Sequence, residues 1–248
     1  MDHGATVTET PASGLPNPRR RRAAEARPDR RNAILLAAEK LFAQHGYHAV
    51  TIRRIAREAG VPLALVGYYH GQKHELFGAI FEHWHPTIDE RLSGLRAAVG
   101  AGGPDLLRRI VEAFVQPVLR LRASPEGEFY ALLVARELAY SSPEVDAVLR
   151  RHFDPLAHAY IDALQAALPR ATRVQSAWGY QFALGALLHH LSDTRVERLS
   201  REQALANSPE AAPMLVDFIV AGLRALDAVP AVRPPAAART TSTRRSRP

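Results

Sequence analysis

Gly60 and Pro62, separated by one residue, constrain this chain more than anything else in it, because each punctuates a helix from an opposite side. Glycine is favoured just past a helix end, where the backbone turns left-handed, and proline suits a first helical turn, where its missing N–H is no loss. Before the pair, Ile52, Ile55, Ala56 and Ala59 recur at the spacing of one helical face, with Arg53, Arg54, Arg57 and Glu58 on the others. Thr51 is placed to cap that helix with its hydroxyl. Val61 is expected to drop into a core, Ala56 to stay small where two helices cross, and Val66 to supply an apolar plug from the second helix. The spacing predicts two short helices folded over a tight turn.

The flanks extend the pattern. Residues 30–45 read as a helix with Ile34, Leu35, Ala38, Leu41 and Phe42 along one stripe, ended by Gly46. After the His70-Gly71 junction, Lys73, His74, Glu75, Leu76 and Phe77 begin another. A first helix followed by two that embrace a tight turn, all ahead of the helix begun at Lys73, predicts a three-helix helix-turn-helix head, the unit whose reading helix enters a DNA major groove. The ordered set Ala37, Phe42, Gly46, Tyr47, Thr51, Ile55, Ala56, Ala59, Gly60, Val61, Tyr69, Lys73 and Leu76 resembles the TetR family of bacterial transcriptional regulators. Beyond residue 80 the resemblance is one of length and helical texture. It implies a DNA-binding head on a variable helical body that binds a small molecule, which in turn shifts the separation of two heads in a dimer.

The expected contacts to double-stranded DNA are Arg30, Thr51, Arg53, Arg54, Pro62, Leu63, Ala64, Gly67, Tyr68, Tyr69 and Lys73. The chain departs from the family pattern at Leu63 and Leu65, where polar or small residues are usual, at Gly67, where an aromatic is usual, and at His70, where Phe is usual. The reading helix is therefore short of groups that hydrogen-bond base edges. Leu63 and Ala64 can meet a thymine methyl and Tyr68 a base or phosphate, leaving more of the specificity to Arg53, Arg54 and DNA shape.

Charge points the same way, although most of it lies elsewhere. The chain has 248 residues and a net charge of +7. Residues 1–31 hold seven Arg against four acids and residues 228–248 five Arg and no acid, so the stretch between them is slightly acidic. Both ends are rich in Pro, Thr and Arg without apolar periodicity and are expected to be disordered. Arg19, Arg20, Arg21, Arg22 and Arg27 precede the first helix, where an arm could track phosphates; an Arg-rich composition with no such role explains them equally well. The expected layout is a basic arm over 1–27, a DNA-binding head over 28–75, a ligand-binding and dimerisation body over 76–227 and an Arg/Pro-rich tail over 228–248. There is no cysteine, which excludes disulfides and thiolate chemistry. No N-terminal apolar segment and no run near membrane-spanning length is present, so the expectation is a cytoplasmic protein with no membrane contact.

The fold class is all-α. Past the head, helices are expected over 73–99, 104–122, 125–140, 143–168, 171–191 and 209–227, with Pro or Ser near most starts. The segment 171–191 is apolar around most of its circumference, with Trp178 and Phe182 on one side, and 209–227 carries a clean stripe through Leu215, Phe218, Ile219, Gly222, Leu223 and Leu226. One face of this pair can pack on its own body and the other on a second copy, giving a homodimer; the alternative is a purely internal core. Aromatic or polar groups set in aliphatic helices are the candidate contacts for a small-molecule effector: His83, Trp84, Phe114, Phe129, Arg136, Tyr140, His152, Trp178, Phe182 and His189. Arg136 stands out among Leu132, Leu133, Val134 and Leu138, since an inward guanidinium there needs a carboxylate from Glu137, another acid or an acidic ligand. No cofactor motif is present. His189 and Asp193 have a ligand-like spacing without a third partner, so no metal site is expected. With no phosphate loop, nucleophile elbow or zinc-protease motif, an enzyme is not expected. Two functions remain: a dimeric repressor released from a palindromic operator by a small molecule, and a sequence-tolerant structural DNA-binding protein without effector control.

Overall fold

The computed structural model describes residues 29–139 and 142–228, so the basic arm, Tyr140 and nearly all of the C-terminal tail lie outside the described residues. Among the described residues there are eleven helices and no strand. The head comprises α1 (Arg30–His45), α2 (Ile52–Glu58) and α3 (Leu63–His70), and α4 (Lys73–His83) leads from it towards the body. The body comprises α5 (His85–Ala101), α6 (Leu106–Ala123), α7 (Glu128–Ala139), α8 (Pro143–Ala167), α9 (Arg173–Ser192), α10 (Val196–Leu199) and α11 (Ala211–Ala228).

Local chemistry sets the head. Asp29 caps α1, its carboxylate accepting from the N–H groups of Arg31 and Asn32 at 3.1 and 3.2 Å. The Thr51 hydroxyl caps α2 by accepting from Arg54 N–H at 3.3 Å. The turn falls at Gly60, with φ +65°, a conformation most side chains resist, and Val61 N–H then reaches the Ala56 carbonyl at 3.0 Å. Ile55, Ala56 and Val66 are buried where α2 and α3 cross, as the spacing requires. An ion pair between Lys40 and Glu58 at 2.6 Å ties α2 to α1.

The segment expected as one helix over 73–99 is two. Pro86 has no N–H to offer the Glu82 carbonyl, and its ring crowds the preceding turn. The chain breaks at Trp84, whose carbonyl accepts from the N–H and hydroxyl of Thr87 at 3.0 and 2.7 Å. Pro104, Pro125 and Pro209 precede their helices instead of opening them, and the four-residue α10 has no counterpart in the apolar periodicity.

Two cores result. In the head, Phe42, Tyr47, Phe77 and Phe81 stack through edge and tilted contacts and continue into Tyr130 and Leu133 of α7 and Val145 and Leu149 of α8. In the body, α5 packs along α6, α8 along α9, and α11 against α6 and α9. Gly179 allows that last approach: a Cβ there would stand 2.7 Å from a Leu223 methyl and 3.0 Å from one of Leu226.

Candidate nucleic-acid interface and internal cavity

The surface of α3 follows from which of its residues the head consumes. Val66 and His70 turn inward, and His70 Nε2 lies 2.9 Å from the Arg31 carbonyl, so the residue that departs from the family's usual Phe acts as a hydrogen-bonding strut to α1. Pro62, Leu63, Ala64, Gly67, Tyr68 and Tyr69 are left exposed on the opposite side, and the Tyr68 ring, 79% exposed, meets Tyr69 edge to face at 5.0 Å. Arg53 projects from α2 and Arg30 from the start of α1, both exposed. The remaining expected contacts have partners within the head. Arg54 is half-buried and hydrogen-bonds the His45 ring, and the Thr51 hydroxyl is committed to its cap. Lys73 lies 4.3 Å above the Tyr47 ring, and burial lowers its pKa.

The head and body meet through α7 and α8. The Tyr47 N–H donates to Glu137 at 3.1 Å, and burial raises the pKa of that carboxyl. Trp84 stacks on Tyr130 with centroids 5.2 Å apart and donates its indole N–H to Glu39 of α1 at 2.6 Å. Glu39 is 2% exposed. Burial raises its pKa to about 7, against the opposing pull of the Trp84 indole and a backbone hydrogen bond from Tyr130.

A consequence for stability follows. Since the folded pKa of Glu39 lies above the ordinary 4.5, the native protein holds an extra proton and its stability falls as pH rises from about 4.5 to about 7. Glu39→Gln, which keeps an acceptor for Trp84, is expected to gain about 1–3 kcal/mol relative to the unaltered chain at pH 8 and little at pH 4.5. Urea unfolding at the two pH values measures this, and a gain independent of pH would refute it.

Among the described residues, the expected effector contacts do not come together in one cavity. Arg136 is exposed and lies against the backbone of Gly46 at the head; the buried member of the pair is Glu137. A helix that faces the head on one side leaves Arg136 only the outer rim, whatever its apolar neighbours in sequence. His83 is exposed and flanks Trp84, and these two with Phe129 border an open groove beside α1. His152 is buried between Phe81 and Glu82, with its pKa lowered chiefly by desolvation, and Phe114 is packed against Tyr160 and Tyr180 in the body core. Trp178 and Phe182 stack on each other on the outside of α9, 54% and 60% exposed, and His189 is exposed and paired with Asp193 at 3.3 Å. Among the described residues no three potential metal ligands converge.

The cavity lies instead between α5, α6, α7, α8 and α9 and opens to solvent. Its wall is aliphatic, from residues such as Ile88, Val118, Leu121, Val134, Leu184 and Leu187, with Pro117 at the kink-prone centre of α6. Arg91, Tyr130, Tyr180 and Thr87 supply the polar groups, and among the described residues Arg91 is the one charged side chain lining it. Sequence reasoning missed Arg91. The signal was present, for Ile88, Arg91, Leu95 and Ala98 form the buried stripe of α5, in which an arginine is out of place. No described helix is long and apolar enough to cross a membrane.

A short outward helix behind a glycine turn, carried on a larger helical body, defines a helix-turn-helix DNA-binding protein. The chain belongs to the TetR family of transcriptional regulators. Residues 34–80 match the family model for bacterial regulatory proteins of the tetR family, and residues 112–222 match that for the tetracyclin repressor-like C-terminal domain. Curated relatives include the transcriptional activator FasR of Mycolicibacterium smegmatis, 34% identical over 90 residues that span 36% of this chain and 40% of the relative. Another is the transcriptional regulator HbdR of an Aromatoleum species, 46% identical over 64 residues, 26% of this chain and 28% of the relative. The match thus covers less than two thirds of either relative. Among solved structures, AmtR of Mycobacterium smegmatis superposes with a TM-score of 0.55 at 22% identity, covering 80% of this chain and 87% of that one, a likeness of fold. The members of this family are transcriptional regulators, which are not enzymes.

Proposed function

We propose that the chain is a dimeric, ligand-responsive regulator, a repressor that leaves a palindromic operator when a small molecule occupies the cavity. The observation that carries this reading is the exposed face of α3. Pro62, Leu63, Ala64, Gly67 and Tyr68 form a surface of low relief that no part of the described body covers, flanked by the exposed Arg53 and Arg30. In this reading residues 28–75 read DNA and 76–227 bind ligand and partner. The second copy docks on α9 and α11, where Val174, Trp178, Phe182, Met214 and Phe218 leave an apolar surface at the edge of the body.

Ligand response requires one head separation to be favoured by the bound molecule over the other. The element positioned to transmit this is α7: Tyr130, Ala131, Val134 and Leu138 line the cavity, while Leu133 and Glu137 pack into the head. The Tyr130–Trp84–Glu39 chain runs beside it from cavity wall to α1.

The test is an electrophoretic shift titration with palindromic duplexes from the DNA upstream of the gene. Binding to one palindrome well above random duplex is expected, with an affinity that drops steeply as salt rises. Absence of salt-sensitive binding to any palindrome would sink the proposal. The second reading, a sequence-tolerant structural DNA-binding protein, draws on the scarcity of base-reading polar groups at Leu63, Ala64 and Gly67. Equal affinity for palindromic and random duplexes would favour it.

A further inference from the structure

Arg91 carries a buried charge that no acidic side chain of the described residues balances. It is 9% exposed, and its Nε has no hydrogen-bond partner. Guanidinium groups do not escape burial by shedding a proton, so a buried arginine normally takes a carboxylate as partner. Among the described residues Arg91 has no acidic partner in ion-pair range, and no Asp or Glu lines the cavity. Two rings give partial compensation: its guanidinium carbon lies 5.2 Å from the centroid of Phe114 and 6.0 Å from that of Tyr160. The Tyr160 hydroxyl also takes a hydrogen bond from the guanidinium, but none of these neighbours carries a negative charge, and Nε is left without a partner.

We infer that the cavity takes an apolar monocarboxylate, whose anionic end pairs with Arg91 while its hydrocarbon part lies along the aliphatic wall of α6, α7 and α9. Tyr130 and Tyr180 line the same space and bring two further hydroxyls to it. Burial raises the pKa of both phenols, the nearby Arg91 charge opposing, so both remain O–H donors toward an anion. One cation, two phenols and a threonine in an otherwise apolar wall select against a neutral apolar molecule, which leaves the cation unpaired, and reject an ammonium outright. The wall supplies affinity for the chain of the ligand, and the polar group fixes which end enters.

The inference rests on the reading above only in treating the cavity as a ligand site, and its test omits DNA. The full chain is titrated calorimetrically with n-decanoate, n-decanol and n-decylamine below their aggregation limits. Decanoate is expected to bind about 10-fold or more tightly than decanol, and decylamine more weakly than either. Arg91→Met, close in volume, should lose that preference while retaining decanol binding, and Arg91→Lys should restore part of it. Equal binding of decanoate and decanol would overturn the inference. So would an undiminished preference in Arg91→Met, which would place the anion elsewhere, such as the exposed aromatic face of α9. If Arg91→Met does not fold, the decanoate-to-decanol ratio of the unaltered chain decides. Arg91-dependent decanoate binding that leaves operator affinity unchanged would sustain this inference and count against ligand-controlled DNA release; release by another molecule with no decanoate binding would do the reverse.

Discussion

Replacing Phe182 and Phe218 together by aspartate is expected to make the chain monomeric and to weaken binding to a palindromic duplex by on the order of 10²- to 10⁴-fold. The two side chains are 60% and 71% exposed and sit on α9 and α11, so neither change disturbs the core of a single copy. Each places a charge where the proposed partner surface must shed water, and facing carboxylates repel. Trp178 stacks on Phe182, and Ala221, Gly222 and Ala225 leave the neighbouring face of α11 low enough for a second helix to approach closely. Sedimentation equilibrium with and without the substitutions measures the assembly state, and far-ultraviolet circular dichroism should show unchanged helicity. A double variant that stays dimeric would remove α9 and α11 from the interface.

Tyr68→Ala is expected to reduce operator affinity roughly 5- to 100-fold, the range for losing a specific contact in the groove. With 79% of its surface exposed, Tyr68 contributes little to folding, so the variant should melt within a degree or two of the parent. Arg53→Ala should act differently. As a phosphate contact it would weaken all duplexes about equally and lower the slope of log affinity against log salt by about one. Arg54, already engaged with His45, is the instructive control, because its removal should cost thermal stability as well as affinity. If Tyr68→Ala and Arg53→Ala both bind operator like the parent, α3 is not the reading element.

The head was legible in the sequence because each of its features is set by near neighbours. Thr51 caps three residues ahead, Gly60 turns where it stands, and Ile55, Ala56 and Val66 are assigned by spacing within one pair of helices. The apolar face of α9 could likewise be read from its circumference. The cavity could not, since its wall comes from five helices and depends on how each is rotated about its axis. Arg136 and Glu137 illustrate the difficulty: adjacent on α7, they point apart, and only the packing of α1 against α7 decides which is buried. Trp84 was legible as unusual but not as a structural link, because its partners Glu39 and Tyr130 lie 45 and 46 positions away in the chain.

In the proposed regulator, the interruption at Trp84 would serve as the fulcrum. From that point α4 extends 11 residues, a lever arm of about 16 Å at 1.5 Å per residue. A swing of about 12° there would carry the far end of α4 some 3.4 Å, roughly the rise of one base pair. Two such arms in a symmetric pair would lose their phasing with the duplex together, so a cavity deformation too slight to alter the shape of the body would suffice to put both heads out of step with DNA.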